Sequence, residues 1–144
     1  TWRDLGVIRS VVVDTGPLTA FLDAGDAWHR WAVARFQEME GPLVTVEPVL
    51  TEAGFLLQRN PGAQDDLLRM VAQGALKISF RLEDEAEAVR LLRSKYGDLP
   101  MSLADACLVR QAEMLGECRI CTLDSDFRIY RKHGRTPLSL ITPE

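Results

Sequence analysis

The chain has 144 residues, of which 47% are hydrophobic and 26% are charged, and this predicts one globular domain rather than a disordered chain. No apolar run approaches the roughly 18 residues of a membrane span, and the first residues, TWRDLGVIR, are too charged for a signal peptide, so we expect a cytoplasmic protein. The formal net charge of -4 argues against broad electrostatic coating of nucleic acid. It does not exclude a nuclease, because clustered carboxylates themselves contribute negative charge.

Strands alternate with helices in the first half of the predicted structure. The β-branched run at residues 10–13 predicts a buried strand, and the Asp-Thr-Gly-Pro sequence after it predicts a helix start. The next elements that we expect are a short helix at 18–22, a helix at 26–40 capped by Asp26, a strand at 43–46, a helix carrying Val49, Ala53, Leu56 and Leu57, and a helix at 63–73.

The second half continues the alternation. We expect a strand at 76–80, helices at 83–96 and 102–115, a strand at 119–123, a short helix at 127–132 and a last strand at 138–141. Strands separated by helices imply a mostly parallel sheet that is covered on both faces. The predicted fold class is therefore α/β.

Four acidic residues stand just past an apolar run or on the apolar side of a predicted helix: Asp14, Glu52, Asp105 and Asp124. Burying a carboxylate is unfavourable unless it is hydrogen-bonded or holds a cation. Four such acids without matching apolar-face Lys or Arg indicate a site for hard divalent cations with oxygen ligands. In parallel sheets, ligands bind beyond the carboxyl ends of the strands, where Asp14 and Asp124 are expected to lie.

Each acid also has a purely structural interpretation, which the residues alone leave open. Asp14 would cap the following helix. Asp105 would complete a capping box with Ser102. Glu52 would be a partly buried carboxylate paired with Arg59. The same capping interpretation applies to the two acids of the segment TLDSDF, Asp124 and Asp126.

Cys118 and Cys121 have the C-x-x-C spacing of some metal and redox sites. A zinc site would need a second ligand pair, whereas His29 and His133 are isolated in the sequence. A thioredoxin-like motif would open a helix, but the segment ECRICTL predicts a strand. We therefore interpret these cysteines, together with Cys107, as core thiols.

Other acid-dependent α/β families fit less well. The chain contains no Gly-rich phosphate loop. A haloacid-dehalogenase-type phosphatase would need a second Asp two positions after Asp14, where this chain has Gly16. A receiver domain would need an acidic pair after the first strand, and that pair is missing.

The order of the acidic motifs along the chain resembles that of the PIN domain, especially bacterial VapC-type toxins. The motifs are VVVDTGPL, a Glu in the helix after the second strand, SLADA and TLDSDF. The resemblance extends over residues 10–141 and includes the Asp26-x-x-His29 opening of the second helix. It implies a PIN-like three-layer α/β/α sandwich with a mostly parallel central sheet over residues 10–144. Residues 1–9 form an N-terminal extension of unassigned role.

The resemblance also implies a site and a reaction. The site would hold Mg²⁺ or Mn²⁺ and cut RNA with metal-activated water, leaving 5′-phosphate and 3′-hydroxyl ends. Thr122 would be a supporting hydroxyl and Asp126 an additional metal ligand. The implied metal and catalytic carboxylates are Asp14, Glu52, Asp105 and Asp124.

The implied partners are an RNA substrate, a cognate antitoxin and a second copy of the chain. The apolar faces near Trp28 and Trp31, or the fourth helix, would supply the dimer contact. Two alternatives remain: a PIN nuclease of RNA maturation or decay without an antitoxin, and a non-catalytic PIN-like binding module.

Overall fold

The structure, a computed structural model, describes residues 10–143. The predicted N-terminal extension, residues 1–9, lies outside the described residues. The strands are β1 (Ser10–Val13), β2 (Leu43–Val44), β3 (Leu76–Lys77), β4 (Cys118–Cys121), β5 (Arg131–Lys132), β6 (Thr136–Pro137) and β7 (Leu140–Ile141). Five of them form one parallel sheet in the order β3-β2-β1-β4-β7, while β5 and β6 form a separate antiparallel ribbon.

Helices cover this sheet and complete the three-layer α/β/α sandwich that the sequence predicts. The helices are α1 (Thr15–Leu22), α2 (His29–Glu38), α3 (Glu47–Leu56), α4 (Pro61–Ala72), α5 (Leu82–Lys95) and α6 (Leu103–Leu115), followed by a 3₁₀ helix (Ser125–Arg128). Helix α1 contacts α2, α3 and α4, and α6 contacts α3, α5, β1 and β4. The predicted α/β fold class is therefore confirmed.

Strand β1 lies at the centre of the sheet because its side chains are apolar on both faces. Val12 and Val13 are fully buried, and Val12 pairs with Val44 of β2 on one side and Ile120 of β4 on the other. A strand that is covered on both faces needs a continuous apolar run rather than an alternating one. This run ends at Asp14, so an acidic residue directly follows the central strand.

Helix α2 begins later than predicted. Asp26 does not cap it directly: its carboxylate accepts a hydrogen bond from the Trp28 backbone N–H (2.8 Å) in a turn, and the helix starts at His29. The His29 ring nitrogen Nδ1 lies 2.7 Å from the Ala20 carbonyl oxygen, which ties α2 to the end of α1. His29 thus has a structural contact at the position of the Asp26-x-x-His29 opening.

The prediction of a helix at residues 127–132 is wrong. The 3₁₀ helix ends at Arg128, and Lys132 instead lies in β5, which pairs with β6. His133 and Gly134 both have positive φ, 50° and 78°, and this conformation reverses the chain between the two strands. Strand β2 is shorter than predicted because Val46 already forms the N-cap of α3, and β3 is also shorter than predicted.

The three cysteines are free thiols, and Cys107 and Cys121 are buried. Burial raises the pKa of the Cys107 thiol to about 11 and that of the Cys121 thiol to about 12, so both remain protonated. The interpretation as core thiols is confirmed for these two, and Cys118 is half-buried in the predicted strand. Within residues 10–143, no helix has both the length and the hydrophobicity needed to span a membrane.

Candidate active site at the carboxyl end of the sheet

Two loops leave the sheet side by side at its carboxyl end. Strands β1 and β4 pair over their whole lengths, and the Asp14 backbone N–H continues the ladder by donating to the Cys121 carbonyl oxygen at 3.0 Å. Asp14 is the first residue after β1, and Thr122 is the first after β4. The parallel register therefore brings together two polar residues that are 108 positions apart in the sequence.

Asp14 is buried and hydrogen-bonded at both carboxylate oxygens. Its Oδ1 accepts from the Thr15 backbone N–H and its Oδ2 from the Thr122 hydroxyl, each at 2.7 Å. The pKa of Asp14 is raised from 3.8 to about 6. Burial is the main cause and the nearby charges of Asp105 and Asp124 add to it, while the two hydrogen bonds lower the pKa. The capping interpretation of Asp14 is confirmed, but a cap does not require this burial or these acidic neighbours.

Asp105 also has both a structural contact and an acidic environment. Its backbone N–H donates to Ser102 Oγ at 3.0 Å, and hydrogen bonding to Ser102 lowers the pKa of its carboxyl, as expected for the predicted capping box. The Tyr130 hydroxyl donates to Asp105 Oδ2 at 3.1 Å. Burial is the main cause that raises the pKa of Asp105, and the charge of Asp124 adds to it.

Asp124 is held near these two acids by hydrogen bonds of its backbone and its side chain. Its N–H donates to Thr122 Oγ1 at 2.9 Å, and its own Oδ1 caps the 3₁₀ helix by accepting from the Asp126 N–H at 2.9 Å. The charge of Asp124 acts on both Asp14 and Asp105. We call Asp14, Asp105 and Asp124 the acidic cluster. The charge of Asp126 contributes instead to raising the pKa of the buried Tyr130 hydroxyl.

Glu52 is placed differently from the other three predicted carboxylates. It lies on α3, beside a buried face made by Val49 and Ala53, and its own side chain is exposed. The interpretation as a partly buried Glu paired with Arg59 is wrong, since none of the ion pairs within residues 10–143 joins them. Helix α3 contacts α1, which follows Asp14, and α6, which carries Asp105. Glu52 therefore lies on a helix adjacent to the cluster.

Gly16 is explained by packing close to Asp14. A Cβ atom at this position would lie 3.2 to 3.3 Å from the Leu123 side chain, tighter than ordinary van der Waals contact. A larger residue at position 16 would therefore push Leu123, which stands between Thr122 and Asp124, away from α1. The hydroxyl that supports Asp14 comes from Thr122 across the sheet.

The donor atoms of the cluster fit a hard divalent cation. All are carboxylate oxygens, and the buried Thr15 hydroxyl beside Asp14 has no hydrogen-bond partner among the described residues, which suits a polar ligand nearby. In the described part of the chain, no three His, Cys, Asp or Glu side chains converge closely enough to hold a metal ion by themselves. Mg²⁺ does not need such a cage, since it keeps several waters and is usually bound by one or two carboxylates.

Tyr130 is the member of this site that the sequence analysis missed. It lies in the segment wrongly predicted as a helix, and its hydroxyl reaches Asp105, 25 positions earlier in the chain. The one available sequence signal was an aromatic residue with a hydroxyl shortly after TLDSDF. That signal does not indicate which residue the hydroxyl would contact.

Comparisons with known proteins agree with this geometry. The sequence profile of the PIN domain matches residues 11–132. The chain is 30% identical over 117 residues to Ribonuclease VapC26 of Mycobacterium tuberculosis, with 79% of this chain and 86% of that protein covered. The crystal structure of Mycobacterium tuberculosis VapC20, described as a sarcin-ricin loop cleaving toxin, has the same fold, with a TM-score of 0.73, 23% identity and coverage of 81% of this chain and 92% of that chain. This chain therefore belongs to the PIN domain family and is of the VapC type.

Proposed function

We propose that this chain is a Mg²⁺- or Mn²⁺-dependent endoribonuclease and the toxin of a type II toxin–antitoxin pair. The observation that carries the proposal is the acidic cluster, in which Asp14 and Asp105 are held in buried surroundings that disfavour their ionised forms. Its support from relatives is the ribonuclease activity in the name of VapC26 and the RNA-cleaving activity in the description of VapC20.

Repulsion within the cluster explains why it would bind a cation. Two unit charges about 5 Å apart repel by about 3 kcal/mol at an effective dielectric constant near 20. The acidic cluster lacks a Lys or Arg partner among the ion pairs formed within residues 10–143. A divalent cation would remove this repulsion and keep the carboxylates ionised at neutral pH.

The residues have different roles in this proposal. Asp14 and Asp105 would be the central metal ligands, and Asp124 and Glu52 would act directly or through water. Between the two acids of TLDSDF, the charge interactions favour Asp124, because Asp124 acts on both central acids. Asp126 would be an additional ligand in this assignment.

The chain's own groups would orient the reaction rather than form a covalent bond with RNA. A bound Mg²⁺ or Mn²⁺ would supply Lewis-acid chemistry for activating water and stabilising negative charge on the scissile phosphate. Thr122 holds Asp14 Oδ2 and Tyr130 holds Asp105 Oδ2, so both carboxylates keep fixed orientations. Fixed ligands favour in-line attack, because the reacting groups lose less freedom in the transition state.

A cleavage assay tests the enzyme assignment. Purified protein is incubated with total RNA in Mg²⁺ or Mn²⁺, with and without a chelator. We expect wild-type protein to cleave RNA only with the cation, and Asp14→Asn or Asp105→Asn to lose nearly all cleavage while remaining folded.

The matched control is Asp65→Asn, which removes an exposed α4 carboxylate paired with Arg69 (2.6 Å). This variant should cleave RNA as wild type does. Full cleavage by an Asp14→Asn/Asp105→Asn double variant would contradict the assignment of the acidic cluster.

A further inference from the structure

Tyr130 is a buried phenol whose hydroxyl binds a site carboxylate. Its side chain is fully buried, and its hydroxyl donates to Asp105 Oδ2 at 3.1 Å. A buried tyrosine hydroxyl normally needs a hydrogen-bond partner, and most of the ring's energetic contribution comes from apolar packing. The partner here is a carboxylate of the acidic cluster rather than a backbone group.

The ring of Tyr130 is held by two aromatic neighbours. Phe127 lies at a centroid distance of 5.2 Å and an angle of 82°, and Tyr96 at 5.1 Å and 66°. Phe127 is itself fully buried. Edge-to-face packing of this kind leaves the ring little freedom, so the position of the hydroxyl is set by the core.

The hydrogen bond also connects two parts of the acidic cluster. Asp124 caps the 3₁₀ helix that contains Phe127, and the Tyr130 backbone N–H donates to the Asp126 carbonyl oxygen at 3.3 Å. Asp105 lies in the first turn of α6. The Tyr130 hydroxyl therefore joins the segment that carries Asp124 to the helix that carries Asp105, although these two acids repel each other.

We propose that Tyr130 is a positioning residue, which fixes the orientation of the Asp105 carboxylate and its placement relative to Asp124 for cation binding. This inference rests on the proposed function, because it assigns Tyr130 a role in the same cation site. Because Tyr130 is fully buried and its hydroxyl donates to Asp105, its effect would pass through Asp105.

The test is Tyr130→Phe, which removes the hydroxyl and keeps the packed ring. Partners of metal ligands typically contribute 10- to 100-fold to metal affinity or activity. We expect the Kd for Mn²⁺, measured by calorimetry on the folded protein, to rise about tenfold. RNA cleavage should show a lower kcat with an unchanged KM for RNA, and raising Mn²⁺ should restore most of the rate.

Tyr96→Phe is the matched control, because this chain has two tyrosines and both lie in the same aromatic group. The Tyr96 hydroxyl accepts from the Arg131 backbone N–H at 2.8 Å and contacts no carboxylate of the cluster. Its Kd for Mn²⁺ should stay within about twofold of wild type, far below the change expected for a partner of a metal ligand.

The outcomes separate this inference from the proposed function. Failure of wild-type protein to bind Mn²⁺ would overturn both. Normal binding and RNA cleavage by wild type, with the same Kd in Tyr130→Phe, would overturn only the role of Tyr130.

If Tyr130→Phe does not fold, wild-type protein labelled with ¹³C-tyrosine gives a second measurement by NMR. Saturating Mg²⁺ should shift the Tyr130 ring signals more than those of Tyr96. Equal or absent shifts would overturn the role of Tyr130.

Discussion

The Thr122 hydroxyl donates to Asp14 Oδ2 at 2.7 Å and at the same time accepts from the Asp124 backbone N–H at 2.9 Å. One buried hydroxyl thus connects the loop after β1 to the loop after β4. Each of its contacts involves a residue of the acidic cluster. Loss of the hydroxyl would leave both a carboxylate oxygen and an N–H without this partner.

The first prediction is that Thr122→Val lowers both the free energy of unfolding and RNA cleavage. Valine has a similar shape, but it cannot hydrogen-bond to Asp14 or Asp124. Leaving buried polar groups unsatisfied costs about 1–3 kcal/mol. Urea unfolding of the metal-free protein measures this loss, and Thr122→Ser, which keeps the hydroxyl, is the control. A free energy of unfolding in Thr122→Val that equals the wild-type value would show that the two hydrogen bonds of the hydroxyl do not stabilise the fold.

The second prediction is that Asp14→Asn inactivates the protein but stabilises its metal-free fold at pH 7. The pKa of Asp14 is raised from 3.8 to about 6, so ionisation is less favourable in the folded than in the unfolded chain. A shift of this size corresponds to about 3 kcal/mol, which a neutral Asn avoids.

The sign of the pH dependence follows from the same shift. Between pH 3.8 and about 6 the folded chain holds the Asp14 proton more tightly than the unfolded chain does, so wild-type stability falls as pH rises. The stability advantage of Asp14→Asn should therefore be small near pH 4 and reach its full value above pH 6. Urea unfolding of both proteins from about pH 4 to about pH 7, with a chelator present, measures the difference. An advantage that does not change with pH would contradict the raised pKa.

The third prediction is that Mn²⁺ raises the melting temperature of wild-type protein. A ligand that binds only the folded state stabilises it by about 2.7 kcal/mol at 100 times its Kd. Asp14→Asn should show a much smaller shift because it lacks one ligand charge, whereas Asp65→Asn should respond as wild type does. An unchanged wild-type melting temperature at millimolar Mn²⁺, with no heat of binding, would count against a cation site.

Much of the fold followed from local patterns. Two short-range signals fixed both an element and its boundary. One is the run of valines in β1 that ends at Asp14, and the other is the Ser102–Asp105 capping box at the start of α6. Helix and strand periodicity is local as well, so the parallel α/β architecture was predictable.

The contacts within the site depend on long-range packing, which local patterns do not contain. Tyr130 reaches Asp105 only because the chain turns into β5 after the 3₁₀ helix, where the sequence predicted a longer helix. For Glu52, the sequence predicted burial that the structure does not show. The sequence placed Glu52 on the apolar side of its helix, but two apolar residues of that helix, Phe55 and Leu56, are 65% and 58% exposed. Hydrophobic spacing on a helix does not show whether a partner within the same chain covers that face.

The fourth prediction concerns this exposed glutamate. Glu52→Gln should lower RNA cleavage and weaken Mn²⁺ binding without changing the free energy of unfolding, because the side chain is exposed. The control is Glu87→Gln, which removes an exposed carboxylate of α5 paired with Arg90 at 2.7 Å. Wild-type cleavage and Mn²⁺ affinity in Glu52→Gln would remove Glu52 from the site and leave Asp14, Asp105 and Asp124 as its acids.

The fifth prediction concerns partners. A toxin must be restrained in its own cell, and an Arg from an antitoxin would be a natural inhibitor of the acidic cluster, since Arg and carboxylates form charge-assisted hydrogen bonds. Trp28 and, on α4, Leu68 have exposed apolar side chains, which suits contacts with a second copy of the chain. We therefore expect a homodimer that binds a small, basic-tailed protein encoded by the neighbouring gene.

Growth and co-purification measure this expectation. Expression of the wild-type chain alone should slow the growth of a bacterial host, and Asp14→Asn should not, because it lacks cleavage activity. Co-expression of the neighbouring gene should restore growth, and its product should co-purify with this chain and inhibit RNA cleavage. Light scattering of the chain alone should give the mass of a dimer. If the protein cleaves RNA but is harmless when overexpressed and has no such neighbour, a nuclease of RNA maturation or decay is the better assignment, because an enzyme of that kind needs no dedicated inhibitor.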